Sequence, residues 1–130
     1  MQIMKDILFV ESDGRCEVIV LINLLYVSST SSETYFFTTT GVVVSKVPLP
    51  YFDQYLSKRK FCRIHAAHMI SLDKIISFDS QAVLMPGALL PLSKEYESHL
   101  RSSVRILSSE QEEGLDRLYI DESGRLRRLE

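Results

Sequence analysis

Short apolar runs bounded by turn-forming clusters dominate the first third of the chain. DILFVES and CEVIVLI flank Asp13-Gly14, a pair suited to the left-handed backbone of a tight turn, so two antiparallel strands are expected there. LLYVSS stops at Thr30-Ser31-Ser32. TYFFTTT, Gly41 and VVVSKV then read as a second hairpin turning at Gly41, because Thr38 to Thr40 and Val42 to Val44 are β-branched and favour extended backbone.

The period changes at PLPYFDQYLSK. Leu49, Phe52, Tyr55 and Leu56 recur at helical spacing and Pro48 or Pro50 suits a first turn, so a short helix ending near Lys58 is expected. FCRIHAAHMISL returns to the extended pattern, as a core strand that enters a loop at its histidines. LDKIISFDS reads as another strand and QAVLMPGALLPLS as a hairpin turning at Pro86-Gly87. Ser93 is placed to cap a last helix, SKEYESHLRSSVRIL, with Tyr96, Leu100 and Val104 on one face. The expectation is a mainly β domain over residues 1–107, with many short strands and two short helices. Residues 108–130 form a charged tail in which LYIDESGRLRRL has a turn-flanked strand pattern, able to fold back or to pair with another chain.

Composition narrows the class. A chain of 130 residues supports one domain with a single modest core. No apolar run approaches the roughly 20 residues that span a bilayer, and MQIMKDILFVES lacks a small-residue cleavage site, so no membrane partner and a cytoplasmic location are expected. Two cysteines, Cys16 and Cys62, make no disulfide framework and read as reduced, partly buried thiols. The tail holds seven of the 17 acids and four of the 15 bases, which leaves ten and eleven for residues 1–107. The body is therefore near neutral, with a local patch at Lys58, Arg59, Lys60 and Arg63.

No constellation in the chain supports catalysis. Cys62, His65 and His68 stand three apart, but side chains alternate along a strand, which would put His65 on the face opposite Cys62 and His68. That is no tetrahedral zinc set, and neither metal nor cofactor is expected. Phe61 and Ile64 mark Cys62 as a packed structural thiol. Glu110, Glu112 and Glu113 lack apolar surroundings that would raise a carboxyl pKa, and Gly14, Gly41 and Gly87 are separate turn glycines with no phosphate loop among them. His99 falls on the solvent side of the last helix. No base–nucleophile pair can be named, so neither an enzyme nor a small-molecule substrate is expected. What remains is binding: Arg63, His65 and His68, with Lys58, Arg59 and Lys60 just upstream, would set positive charge on loops at one end of a β scaffold.

The order of segments adds to this reading. F-x-R-x-H in FCRIH, followed by the MISL run, resembles the signature of the LytTR-type DNA-binding domain family. INLLYVSSTSSETYFFTTTGVVVSKVPLPYFDQYL resembles the block that precedes it there, and LDKIISFDSQAVLMPGALLPLSKEYESHL the block that follows, so the resemblance covers roughly residues 6–106. It implies a LytTR-like arrangement of small, mostly antiparallel sheets with little helix. It also implies contact with double-stranded DNA through loops, at Ser32 to Thr34, at His65 to His68 and at Ser93-Lys94. Such domains are usually the output half of bacterial response regulators and bind direct-repeat promoter sites, often two per site; here the domain reads as a stand-alone one.

The chain departs from the family pattern inside the loops. Ala66 stands where a basic or amide side chain is usual, Ala67 where serine is, His68 where an aromatic is, and Ser71 where asparagine is. Glu33 puts a carboxylate in the first loop, which repels phosphate but accepts from cytosine N4. The expected DNA-contacting set is therefore Glu33, His65, Ala66, His68, Ser93 and Lys94, with Lys58, Arg59 and Lys60 as candidates for backbone phosphates. The alternative is a LytTR-like fold that has lost its DNA contacts and serves as a protein-interaction or regulatory module. The tail is expected to be a dimerisation or autoinhibitory arm, which makes a homodimer the assembly to test.

Overall fold

The structure, a computed structural model, describes residues 6–108 and 118–128. Its first hairpin pairs β1 (Ile7–Ser12) with β2 (Arg15–Val20) across Asp13 and Gly14. Both turn residues have positive φ, 49° and 78°, the geometry whose twist matches that of the flanking strands. A short 3-10 turn, Leu21–Asn23, then leads into the main sheet.

That sheet has five antiparallel strands in the order β5-β4-β3-β7-β6. They are β3 (Leu24–Ser29), β4 (Thr34–Thr38), β5 (Gly41–Ser45), β6 (Phe61–His65) and β7 (His68–Ser71). The β4–β5 turn is Thr39-Thr40, and Gly41 is instead the first residue of β5, paired with Thr38. The Thr38 hydroxyl decides this locally, donating to the Gly41 carbonyl at 2.8 Å and accepting from the Thr40 amide at 3.2 Å.

Between β5 and β6 lies α1 (Pro50–Ser57), with Pro50 in its first turn and Phe52 and Leu56 buried. After β7 the segment LDKIISFDS is mostly not strand. It forms a 3-10 turn, Leu72–Lys74, and a two-residue strand β8 (Ser77–Phe78). With β9 (Ala82–Met85) and β10 (Ala88–Pro91) this makes a small sheet of order β10-β9-β8, whose hairpin turns at Pro86 and Gly87. The last helix of the body is α2 (Lys94–Ser103). Ser93 takes the extended N-cap backbone without a side-chain cap bond, and Val104 ends the helix, so Tyr96 and Leu100 alone of the expected face pack inward.

Strand alternation splits the apolar residues of the main sheet between two layers. Val27, Phe36, Phe61 and Met69 face the β1–β2 hairpin and α1, where Phe36 meets Phe52 edge to face at 5.0 Å. Tyr26, Cys62, Ile64 and Ile70 face β9, β10 and α2, with Val83, Met85 and Leu100 completing that core. Each fully buried side chain of this size contributes about 1.5–3 kcal/mol of burial. A sheet covered on both faces leaves its strand ends as the exposed backbone, and the loops at one of those ends carry the candidate site.

In the tail, β11 (Leu118–Ile120) pairs antiparallel with β12 (Leu126–Arg128), so the strand pattern there folds back on itself. The Asp121 carboxylate accepts from the amides of Ser123 and Arg125, both at 3.0 Å, and closes the turn. The three glutamates singled out in the tail lie outside the described residues. No helix among the described residues is long and apolar enough to cross a membrane.

Candidate nucleic-acid interface

FCRIHAAHMISL does not run as one strand. It folds at Ala66-Ala67 into a two-residue hairpin, β6 and β7, in which His65 lies directly across from His68. The histidine ring centroids are 5.1 Å apart, not on opposite faces as simple alternation predicts. A register shift between Arg63 and His65 accompanies the turn. Ala66 is exposed, while His65 and His68 are half-buried.

Three loops meet at this end of the main sheet. The Ser29 amide donates to the Ala67 carbonyl at 2.8 Å, which sets the β3–β4 turn beside the β6–β7 turn. The Ser93 amide donates to the Ile64 carbonyl at 2.8 Å, which sets the entry to α2, with exposed Lys94, beside His65. Glu33, His65, Ala66, His68, Ser93 and Lys94 are thereby brought to one end of the sheet. The β3–β4 turn is held by Thr30, whose hydroxyl accepts from the amides of Ser32 and Glu33 at 3.3 and 3.1 Å. Glu33 is not a free carboxylate, because it accepts from the Tyr35 hydroxyl at 2.8 Å. That hydrogen bond holds the Tyr35 hydroxyl above its usual pKa.

Lys58, Arg59 and Lys60 are not brought to these loops. They precede β6, and five strand residues separate them from the hairpin tip, a rise of about 16 Å. Arg59 lies over the Tyr55 ring at 3.7 Å and donates to the Tyr55 carbonyl at 2.7 Å. Lys60 faces Asp73 at 3.9 Å. The upstream patch thus belongs to the opposite end of the sheet, because the strand between them is extended and does not double back.

Sequence reasoning missed Lys46. In the β4–β5 pairing Thr34 sits opposite Ser45, so the exposed Lys46 leaves the sheet beside Glu33, and the Thr34 hydroxyl fixes that exit by donating to the Val47 carbonyl at 2.7 Å. The signal was present in the hairpin register: once a turn at Thr39-Thr40 is recognised, position 46 falls opposite position 33.

The titratable groups fit recognition better than catalysis. Cys62 is buried, and burial pushes its thiol pKa up, the reverse of what a nucleophilic thiolate needs; Cys16, expected to be partly buried, is instead exposed on β2. Burial, and then the neighbouring His65, hold His68 below its ordinary value, so it is a neutral ring near pH 7. Among the described residues no group of three or more His, Cys, Asp or Glu is arranged to hold a metal ion. The loops offer two ammonium groups, two imidazoles, hydroxyls and backbone amides, a set of donors and acceptors for phosphates and base edges.

A family model, the LytTr DNA-binding domain, matches residues 14–105. Among solved structures, the chain is similar to a LytTr DNA-binding domain from Bacillus cereus, whose parent protein is described as a methyl-accepting/DNA response regulator. The two share 19% identity at a TM-score of 0.66, over 78% of this chain and 98% of that one. At that identity the likeness speaks for the fold. No curated protein matches the chain.

Proposed function

Because the chain belongs to the LytTR DNA-binding domain family, we propose that it is a transcriptional regulator that reads a specific duplex sequence through the three loops at one end of its main sheet. The observation that carries this reading is the joining of those loops by backbone hydrogen bonds, Ser29 to Ala67 and Ser93 to Ile64. Loops held by a sheet covered on both faces present their side chains at fixed spacing, which groove reading requires. Lys46 and Lys94 are suited to phosphates, and His65, His68 and Ser93 to base edges or sugar.

Ala66 has no donor or acceptor beyond its backbone, so discrimination here rests on fewer contacts, each worth about 1–3 kcal/mol. Direct-repeat promoter sites, a cytoplasmic location and a tail that acts as a dimerisation or autoinhibitory arm on a separate 1–107 domain complete the proposal. The test is selection of bound duplexes from a random pool, followed by affinity against salt. A repeated motif bound at least about 1,000-fold more tightly than scrambled DNA establishes sequence reading. If nothing is enriched and weak binding disappears by about 200 mM salt, only phosphate attraction is present and the proposal fails.

A further inference from the structure

Arg63 is the sole buried charged residue among the described residues, at 9% exposure. A guanidinium in a core strand needs oxygen partners to offset its lost hydration. Here the β6–β7 turn and α1 supply them to the two terminal nitrogens, while the buried Nε has no hydrogen-bond partner. One terminal nitrogen donates to the Ala66 carbonyl at 2.9 Å and reaches the His65 carbonyl at 3.5 Å. The other faces the Asp53 carboxylate of α1 at 3.7 Å. A planar fork carries its donors on two terminal nitrogens and so spans the turn carbonyls and the carboxylate at once, where a lysine ammonium is a single point charge.

The same turn is closed by a second bond. The Ala67 amide donates to His65 Nδ1 at 3.0 Å. A ring nitrogen that accepts carries no proton, so the neutral imidazole keeps its hydrogen on Nε2. The direction of that donor is therefore set by the backbone of the turn.

We infer that Arg63, anchored to α1 by Asp53, is the positioning residue of the β6–β7 turn, and that His65, locked in its Nε2–H form, is a specificity-determining donor. Its target class is an acceptor on a base edge: a purine N7, guanine O6 or thymine O4. The target rests on the DNA-binding reading above; the locking of the ring does not. Arg63 acts through the turn and touches no nucleic acid.

The test uses the full chain labelled with nitrogen-15, as wild type, Arg63→Lys and Asp53→Ala. Imidazole nitrogen shifts at neutral pH are expected to show His65 of the wild type as the single Nε2–H form, with a protected Ala67 amide. Both variants are expected to show mixed tautomers and faster exchange at Ala67. On the duplex selected by the wild type, both are expected to lose about 10-fold in specific affinity, the loss of one good base contact. The salt slope is expected to stay unchanged, because no phosphate contact is removed. Asp53 is half-exposed on α1, so Asp53→Ala carries the test if Arg63→Lys fails to fold. A wild-type His65 with mixed tautomers, or folded variants that retain the lock, overturns the inference. A lock present in the wild type and lost in the variants, with no duplex recovered from any pool, upholds the positioning role and rejects the DNA target alone.

Discussion

The Ser28 hydroxyl oxygen lies 2.7 Å from His68 Nδ1, across the antiparallel register that pairs these two residues of β3 and β7. The pair ties the β6–β7 hairpin to the central strand of the sheet, and it sets a pH dependence. Burial and then His65 hold the His68 pKa below its ordinary 6.5, so the unfolded chain takes up a proton more readily than the folded one. The stability contributed by neutral His68 is fully present above pH 6.5 and is lost as pH falls through the folded value. Urea unfolding at steps from pH 7.5 down to 5 is expected to show decreasing stability, and His68→Gln is expected to flatten that slope.

Lys46 and the upstream patch make opposite predictions for DNA binding. Lys46→Ala is expected to weaken binding almost equally across sequences and to reduce the slope of log affinity against log salt by about 1. Lys58→Ala and Lys60→Ala sit at the far end of β6 and are expected to leave that slope unchanged. Equal effects from all three would place the DNA elsewhere on the molecule.

Ala66 offers a gain-of-function test. It is exposed at the hairpin tip and is not among the residues with positive φ, so a larger side chain fits without backbone strain. Ala66→Asn is expected to sharpen base preference at one position of the selected motif, by about 1–3 kcal/mol against the wrong base. Repeating the duplex selection with the variant is the measurement.

Phe36 is fully buried beneath α1, against Phe52. Phe36→Ala is expected to cost about 3–5 kcal/mol of stability, measured by denaturant unfolding. Because α1 carries Asp53, a variant that still folds is expected to lose DNA affinity along with stability.

The tail gives the last prediction. Deleting residues 108–130 is expected to change the oligomeric state in sedimentation or the affinity for the selected duplex. No change in either measurement would remove the arm from the proposal.

Local sequence determined the elements whose signals are covalent and short-ranged. Asp13-Gly14 and Pro86-Gly87 turn where they do because those residues accept the backbone angles of tight turns. Leu49, Phe52 and Leu56 make α1 because their spacing puts them on one face toward a core. The segment order was enough to show which family the chain resembles, and the three loops it pointed to are the three that meet.

Tertiary structure decided what no local signal carries. Ala66 and Ala67 have no turn preference, so periodicity cannot separate one long strand from two short ones. The hairpin exists because Arg63, the Ser29 amide and the pairing of β7 with β3 hold it closed. LDKIISFDS has a strand composition, yet its first residues wind into a 3-10 turn, with the Leu72 amide bonded to the Lys60 carbonyl. Sequence proximity placed Lys58 to Lys60 with the histidines, while an extended strand of five residues carried them apart. Register across the β4–β5 hairpin brought Lys46 in beside Glu33 in their stead, a neighbour created by cross-strand hydrogen bonding and legible only once the turn at Thr39-Thr40 is placed.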